Sequence, residues 1–384
     1  MRVLIIQPWI RLGGAELLSL ELAAALEARG HAAPIAALFV DPHGLPPIVN
    51  TRRYYLPPAW LARLFARSRV ATYALGTLVL LLVVLRAARG ADVLNPHNLP
   101  APLAAVLARW LYGVPVVWQV NEVPVPLSPA EAKALGRIEA AAWRVGAWLA
   151  RAVAQVPSEI VVLDEKTRRS VRQHFGRDAL VLRPGLDRAA FVAHDCARPR
   201  RSYGALRLLC VGKLHPQKNP ELAVRALARL RPRFPDAELV LVGEGKLRQS
   251  LENAARALGV ADRVHFRERL DLPDLRRLYR ESDVLLFPAI GHQAWGLTPF
   301  EALALGTPAV VSAEAGASEV LGARDAALVV PPDESAFADA VERLATDAAT
   351  RARVLANGRA LLEELTWERY AEDYAHSLTR ARGA

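Results

Sequence analysis

Two short segments of this chain combine residue types that suit a bound diphosphate. Residues 212–220 read Gly-Lys-Leu-His-Pro-Gln-Lys-Asn-Pro, and residues 293–301 read Gln-Ala-Trp-Gly-Leu-Thr-Pro-Phe-Glu. The first offers Lys213 and Lys218 beside glycine backbone, and the second offers glycine and amide donors before the carboxylate of Glu301. A diphosphate binds cations and backbone N–H groups at a helix start, whereas ribose and sugar hydroxyls bind a carboxylate. Together the segments are typical of an enzyme site for a nucleotide diphosphate sugar.

Both segments lie where a predicted strand gives way to a predicted helix. Strand and helix patterns alternate along the chain, beginning with an apolar strand at Val3 to Ile6, a glycine turn and an amphipathic helix up to Ala28. Further strands are predicted at residues 34–40, 92–94, 114–120, 159–163, 179–183, 206–211, 237–242, 264–266, 284–287, 308–311 and 327–330. Continuous apolar strands separated by helices predict an α/β fold with buried parallel sheets.

A change of composition divides the chain into two parts. Residues 187–205 are polar, carry Pro and Arg, and show no apolar period, which predicts an interdomain linker. A chain of 384 residues is long for one core and suits two α/β domains. We therefore predict two Rossmann-like β/α/β domains that face a central cleft.

Composition also limits the class of protein. A hydrophobic content of 52% with 23% charged residues excludes a disordered chain. The two cysteines, Cys196 and Cys210, are too few for a disulfide framework, so we expect a reducing compartment. Gln7 and Pro8 interrupt the first apolar run, which predicts a buried strand and not a signal peptide. We expect a cytoplasmic protein.

Arginine is concentrated in one region of a chain whose net charge is +10. No Asp or Glu occurs from Pro42 to Ala91, where aromatic residues precede an apolar run from Val70 to Leu85. The run is shorter than the roughly 20 residues of a membrane-spanning helix. Residues 52–89 fit a peripheral element that lies on an anionic membrane surface. A buried helix flanked by solvated arginines is the alternative. The arginines here are Arg52, Arg53, Arg63, Arg67, Arg69, Arg86 and Arg89.

Two other kinds of partner are not expected. Lysine-rich clusters, a helix-turn-helix and aromatic platforms on a recognisable sheet do not occur in the sequence, so we expect no nucleic acid. Dense groups of His, Cys or Asp are also missing, so we expect no metal requirement and no cofactor.

Five motifs follow one another in an order that resembles the group 1, family 4 retaining glycosyltransferases of the GT-B fold. They are Gly-Gly-Ala-Glu at 13–16, Pro-Gly-Leu-Asp at 184–187, the segment 212–220, Gly-Glu-Gly at 243–245, and Trp-Gly-Leu-Thr-Pro-Phe-Glu-Ala-Leu-Ala-Leu-Gly-Thr-Pro at 295–308. The resemblance covers nearly the whole chain. It implies an acceptor-binding domain over 1–190, a donor-binding domain over 191–365, and a C-terminal helix over 366–384 that packs on the N-terminal domain.

The resemblance also implies roles for residues on the donor side. Lys213 and Lys218 would stabilise the leaving diphosphate. The family usually carries a glutamate where this chain has Gln293, and an amide keeps an acceptor oxygen but loses the charge. An altered donor preference would therefore arise at Gln293. The implied donor-binding residues are Gly13, Gly14, Gly212, Gly243, Glu244, Gln293, Gly296, Leu297, Thr298 and Glu301.

Polar residues follow two predicted strands of the N-terminal half. Asn95 and His97 follow one strand, and Asn121 and Glu122 follow the next, so all four are candidate acceptor-binding residues. Many family members have a histidine where Asn121 stands. Because an asparagine cannot serve as an acid or base, Glu122 or His97 would take that catalytic role. The alternative is that His97 only caps a turn.

The implied reaction is hexose transfer from a nucleotide diphosphate sugar to a sugar or lipid-linked acceptor, with retention of anomeric configuration. Cell-envelope polysaccharide or glycolipid synthesis is its usual setting, here at the inner face of the cell membrane. A nucleotide-sugar epimerase of similar shape and a noncatalytic sugar- or lipid-binding module remain alternatives. A Rossmann oxidoreductase is excluded, since Gly-Gly-Ala-Glu stands where Gly-x-Gly-x-x-Gly is required.

Overall fold

Two α/β units make up the chain, as its sequence predicts. The computed structural model describes residues 1–11, 13–43, 45, 47–67, 69–124, 137–186, 206–268, 270–290 and 295–383. The N-terminal unit comprises Met1–Pro184 with Trp367–Ala384, and the C-terminal unit comprises Gly185–Thr366. The predicted linker, residues 187–205, lies outside the described residues, as do Cys196 and Gln293.

Parallel strands form the centre of the N-terminal unit. One sheet has the order β5-β3-β1-β6, a second has the order β7-β8-β9, and β2 pairs with β4. A bridge between Leu94 and Val116 links the first two sheets. The predicted strand at 34–40 is two strands, because the N–H of Leu38 donates to the carbonyl of Pro8 instead of continuing along β1. The strands are β1 (Val3–Ile6), β2 (Trp9–Ile10), β3 (Ile35–Ala36), β4 (Phe39–Val40), β5 (Tyr54–Tyr55), β6 (Val93–Pro96), β7 (Val117–Gln119), β8 (Glu159–Val162) and β9 (Leu180–Val181).

Helices cover these sheets. They are α1 (Gly14–Ala28), α2 (Ala59–Arg67), α3 (Arg69–Ala88), α4 (Ala101–Tyr112), α5 (Arg137–Val153) and α6 (Glu165–Phe175). The carboxylate of Asp164 accepts from the N–H of Thr167 and so caps the start of α6. The predicted apolar run lies in α3, and none of the described helices is long and apolar enough to cross a membrane.

The C-terminal unit contains one six-stranded parallel sheet of order β12-β11-β10-β13-β14-β15. Its strands are β10 (Arg207–Val211), β11 (Glu238–Val242), β12 (Val264–Arg267), β13 (Val284–Phe287), β14 (Ala309–Ser312) and β15 (Leu328–Val330). Its helices are α7 (Pro220–Leu230), α8 (Arg248–Ala257), α9 (Leu272–Glu281), α10 (Thr298–Ala304), α11 (Ser318–Ala323), α12 (Glu334–Thr346) and α13 (Ala348–Glu364). The aliphatic sides of α7 and α12 share one core with the strands. Every neighbouring pair is parallel, so the loops after β10, β11 and β13 leave one edge of the sheet.

The last helix, α14 (Trp367–Gly383), packs on the N-terminal unit. It contacts α1, β6 and β7, and its Tyr370 and Tyr374 side chains are fully buried. Each tyrosine hydroxyl has a polar partner, because Tyr374 accepts from Asn95 and Tyr370 donates to Gln119. The predicted return of the C-terminal helix to the N-terminal domain is therefore confirmed.

Candidate active site

The two predicted diphosphate segments begin at neighbouring strands of the C-terminal sheet. Residues 212–220 follow β10, and the segment ending at Glu301 follows β13, which pairs with β10. The N–H of Ile290 donates to the carbonyl of Gln217 at 2.9 Å, so a backbone hydrogen bond joins the two loops. The sequence brings these loops together through strand order alone.

Lys218 is held against the first loop, and Lys213 is exposed at its start. The Lys218 stem lies beside Gly212, whose missing Cβ would stand 3.7 Å from Lys218 Cγ. Its Nζ lies 5.5 Å from the centre of the Phe287 ring. Burial raises the pKa of Cys210 to about 12, opposed by the nearby charge of Lys218, so this thiol stays protonated and inert. Together, residues Cys210, Val211, Gly212, Lys213, Leu214, Lys218, Pro220, Phe287 and Pro288 line a small pocket.

Two glycines let the loop after β11 pack directly on the loop after β10. The N–H of Leu214 donates to the carbonyl of Glu244 at 2.8 Å. A Cβ on Gly243 would stand 2.0 Å from the carbonyl oxygen of Gly212, and Gly243 has a φ of +140°. A Cβ on Gly245 would stand 2.2 Å from the carbonyl oxygen of Leu214. Glycine is required here for close backbone approach, whereas the Glu244 side chain is exposed.

Aromatic packing fixes the second loop where α10 begins. The Trp295 ring stacks on Phe300 with centroids 4.8 Å apart. Gly296 has a φ of +82°, and a Cβ there would stand 2.5 Å from Cζ of Phe287. Leu297 is the N-cap of α10 and Thr298 is its first residue, so both lie at a helix start. The Thr298 hydroxyl is buried without a hydrogen-bond partner among the described residues.

Glu301 accepts a hydrogen bond that the sequence does not predict. The Tyr279 hydroxyl, fully buried on α9, donates to Oε2 of Glu301 at 2.7 Å. Burial raises the pKa of Glu301, and the hydrogen bond from Tyr279 opposes that increase. Burial and the neighbouring carboxylate raise the pKa of Tyr279, so its hydroxyl remains a donor. One carboxylate oxygen is thereby fixed by the protein.

In the N-terminal unit, the glycine turn between β2 and α1 is shaped by Glu16. Gly13 is the N-cap of α1 and has extended backbone. The buried Glu16 carboxylate folds back over it, so that a Cβ on Gly13 would stand 2.3 Å from Oε2. Gly14 opens the helix, and its missing Cβ faces open space. The turn can admit a ligand group at Gly14, whereas Gly13 is tight because of Glu16.

Asn95 and His97 form a buried hydrogen-bonded pair at the end of β6. Asn95 Nδ2 donates to the Val117 carbonyl and to the Tyr374 hydroxyl, each at 2.7 Å. That orientation directs Asn95 Oδ1 at His97 Nε2, 3.0 Å away. Because a carbonyl oxygen only accepts, Nε2 carries the proton and Nδ1 presents a lone pair. His97 Nδ1 is buried without a partner among the described residues.

Burial sets the protonation state of His97. It lowers the pKa of the imidazole to about 3, so the ring is neutral at physiological pH. A neutral ring with a free lone pair suits a hydrogen-bond acceptor better than an acid. The predicted catalytic role of His97 stays a prediction.

Asn121 and Glu122 follow β7, as expected. Asn121 receives a hydrogen bond from Gln119 at 3.3 Å and donates to Asn98 at 3.4 Å. Glu122 is exposed. Of these two predicted acceptor-side residues, Glu122 is exposed and Asn121 is half-buried.

The sequence did not single out two polar residues beside the candidate site residues, one directly after β1 and one on α9. Gln7 directly follows β1, is fully buried, and has both amide atoms unpartnered among the described residues. The position of a polar residue directly after a buried strand could have identified Gln7 from the sequence. Tyr279 offered no such signal, because its contact with Glu301 exists only in the folded chain.

The described ranges contain no group of three or more His, Cys, Asp or Glu side chains that could hold a metal ion. The metal-free reaction remains a prediction.

Two family profiles together match nearly the whole chain. "Glycosyltransferase Family 4" matches residues 12–189, and "Glycosyl transferases group 1" matches residues 200–361. The chain belongs to the group 1, family 4 glycosyltransferases. This family member is similar to D-inositol 3-phosphate glycosyltransferase of Stackebrandtia nassauensis, with 34% identity over 204 residues. The match covers 50% of this chain and 46% of that relative, so the chain spans about half of that relative's length.

Solved structures share the fold of this chain over nearly its full length. HepE of Anabaena, solved with UDP and glucose, matches this chain with a TM-score of 0.77 at 17% identity. The match covers 99% of this chain and 100% of the HepE chain. WaaG, described as a glycosyltransferase of lipopolysaccharide biosynthesis, has a TM-score of 0.72 at 19% identity, with 98% and 99% covered. The predicted GT-B fold is confirmed.

Proposed function

We propose that this family member transfers a hexose from a nucleotide diphosphate sugar to a sugar or lipid-linked acceptor, with retention of configuration. The proposal rests mainly on the loops after β10 and β13, which the hydrogen bond from Ile290 to Gln217 joins. Lys213 and Lys218 lie on one of these loops and Glu301 on the other. Cations beside a carboxylate match a donor that contains both phosphates and hydroxyls.

Lys218 is the group best placed to stabilise the leaving diphosphate. When the sugar–phosphate bond breaks, negative charge grows on the diphosphate oxygens, and a fixed ammonium lowers the energy of that state. The stem of Lys218 already lies against Gly212 and its Nζ lies over the Phe287 ring, so little side-chain entropy is lost on binding. Lys213 would add a second charge from the exposed start of the loop.

Glu301 would recognise hydroxyl groups of the donor. The Tyr279 hydrogen bond occupies one site on its Oε2 and leaves the other oxygen able to accept from a ribose or sugar hydroxyl. HepE is named as a complex with UDP and glucose, which supports a UDP-sugar as the first donor to test.

In the proposed reaction, the acceptor attacks the same face of the sugar from which the diphosphate departs. The acceptor oxygen bonds to the anomeric carbon while the bond to the diphosphate oxygen breaks. The acceptor hydroxyl proton passes to the departing diphosphate, so this step requires neither a carboxylate nucleophile nor a metal ion. On the N-terminal unit, His97 Nδ1, Asn121 and Glu122 would orient the acceptor.

The proposed setting is cell-envelope polysaccharide or glycolipid synthesis, on the cytoplasmic side of the cell membrane. WaaG is named for lipopolysaccharide biosynthesis, which supports a lipid-linked acceptor. The basic, apolar helices of the N-terminal unit support work close to a membrane surface.

Substitution of Lys218 tests the proposal. Lys218→Met keeps the packed stem and removes the charge, so we expect kcat for a labelled UDP-, GDP- or ADP-sugar to fall roughly a hundredfold to a thousandfold. Lys218→Arg keeps the charge and should recover much of that loss. Wild-type kcat in Lys218→Met would reject the site assignment. Interconversion of the sugar without an acceptor would instead indicate an epimerase, and tight binding without turnover would indicate a binding module.

A further inference from the structure

Large apolar side chains are exposed almost entirely on one part of the N-terminal unit. In the described part of the chain, all of them except Leu258 lie between Leu56 and Trp148. The most exposed are Trp110 and Trp148 at 69%, Leu111 at 65% and Trp60 at 64%. Single exposed apolar residues are ordinary, but a group with three exposed indoles indicates an interaction surface.

The exposed residues form one stripe on each of four neighbouring helices. Helix α3 packs against α2 and α4, and α4 packs against α5. A spacing of three or four residues places each helix's exposed residues on one side of it. We call this set the exposed apolar face. It consists of Trp60 and Leu64 on α2, Leu75, Leu78 and Leu82 on α3, Leu107, Trp110 and Leu111 on α4, and Val145 and Trp148 on α5.

The four stripes point to the same side because the helices cover one face of the sheet. The buried sides of α2, α3 and α4 share a core with Val116, and Phe65 is the buried residue of α2 in it. The buried side of α5 packs through Ala150 in a core with Trp118. Val116 and Trp118 are two residues apart in one extended segment, so their side chains lie on the same face. The outward sides of α2, α3, α4 and α5 therefore lie on one side of the unit.

The charge of these helices identifies the partner. Helices α2 to α5 contain eight arginines, no lysine and one acidic residue, Glu139. The side chains of Arg63, Arg67 and Arg86 are exposed. Indoles prefer the headgroup level of a bilayer, and arginines near an anionic surface bind its phosphates. A second copy docked through the same face would bring arginines against arginines, which disfavours a dimer.

We propose that the exposed apolar face binds the surface of an anionic lipid bilayer. Trp60, Trp110 and Trp148 enter the headgroup layer, and the arginines of α2 and α3 contact lipid phosphates. The helices lie along the surface and do not cross it. Binding to the bilayer does not depend on the transfer reaction and can be measured without a donor or an acceptor.

Co-sedimentation with vesicles tests the proposal. Wild-type protein should sediment with equimolar phosphatidylcholine and phosphatidylglycerol and much less with phosphatidylcholine alone. Replacing Trp60, Trp110 and Trp148 together by Gln should weaken binding at least about tenfold, since three large apolar groups lose their burial. Replacing Arg63 and Arg67 together by Gln should weaken it by about fivefold per arginine, and less so in high salt.

The matched control lies on the other unit. Leu258→Gln with Arg256→Gln removes one exposed apolar residue and one exposed arginine there, and should leave vesicle binding unchanged. Unaltered binding by the tryptophan variant, or equal loss in the control, would overturn the proposal. So would a wild-type dimer that binds no vesicles and becomes a monomer in the tryptophan variant by analytical ultracentrifugation.

Discussion

Tyr279→Phe removes a single hydroxyl, and its effect should appear in how donor affinity varies with pH. In the wild type this hydroxyl donates to Glu301 Oε2 at 2.7 Å, within a site where burial already raises the pKa of Glu301. A hydrogen bond to a charged acceptor contributes about 1.5–3 kcal/mol. Without this hydrogen bond, the ionised form of Glu301 has a higher free energy and its carboxylate is no longer held in one orientation. We expect the KM for UDP-glucose to rise roughly tenfold near neutral pH, at the lower end of that range.

The direction of the pH effect follows from the hydrogen bond. Tyr279 stabilises the ionised form of Glu301 and so lowers the pKa that burial raises. In the Phe variant the carboxyl group therefore takes up a proton at a higher pH than in the wild type. Its KM should begin to rise at a higher pH as the solution is acidified, and the difference from the wild type should be smallest in alkaline solution.

The assay measures kcat and KM for UDP-glucose from mildly acidic to mildly alkaline pH, with melting temperatures alongside. Glu301→Gln is the matched control, because an amide has no charge for Tyr279 to stabilise. Adding Tyr279→Phe to Glu301→Gln should change KM by less than about twofold. A Phe variant with wild-type KM at every pH would refute the reasoning. A lower melting temperature with an unchanged pH profile would show a purely structural role.

Two further predictions concern His97 and Gly243. Burial lowers the pKa of His97 from 6.5 to about 3. Between these two pH values the unfolded chain binds a proton on His97 and the folded chain does not. The free energy of unfolding should therefore fall by about 2 kcal/mol from about pH 8 to about pH 5. Urea denaturation should show this slope reduced in His97→Asn; an equal slope in both proteins would contradict the buried, neutral imidazole. Gly243→Ala should lower stability by several kcal/mol in thermal unfolding and weaken donor binding, since a Cβ would overlap the Gly212 carbonyl. Gly259→Ala, at a φ of +66° with open space around the Cβ position, should cost only about 1 kcal/mol; equal losses in the two variants would show that loop contact is unimportant.

The sequence predicts those parts of the site that depend on strand order. Lys218 and Glu301 follow apolar runs, and parallel strands bring their loops to one edge, so the residue pattern alone assigns both to the site. It does not assign Tyr279, because the helix that carries this residue contacts Glu301 only through tertiary packing. Gln293 remains a prediction from sequence, since it lies outside the described residues.

The same limit applies to the exposed apolar face. The absence of acidic residues from Pro42 to Ala91 and the apolar run from Val70 to Leu85 indicated an interfacial helix. The tryptophans of α4 and α5 lie in ordinary amphipathic patterns, and nothing in their spacing shows which side is covered. Only the packing of α3 against α4, and of α4 against α5, places Trp110 and Trp148 on that surface.

The contacts of Asn95 connect the C-terminal helix to His97, one of the proposed acceptor-side residues. Both Nδ2 hydrogens are used, by Val117 and by Tyr374 of α14, and Oδ1 accepts from His97. An amide occupied in this way is better suited to orient its neighbour than to bind an acceptor. The neighbour is His97, whose Nδ1 lone pair is fixed in direction by that hydrogen bond. The orientation of the imidazole thus depends on Tyr374 of α14, so under the proposed function α14 helps to orient an acceptor-side residue.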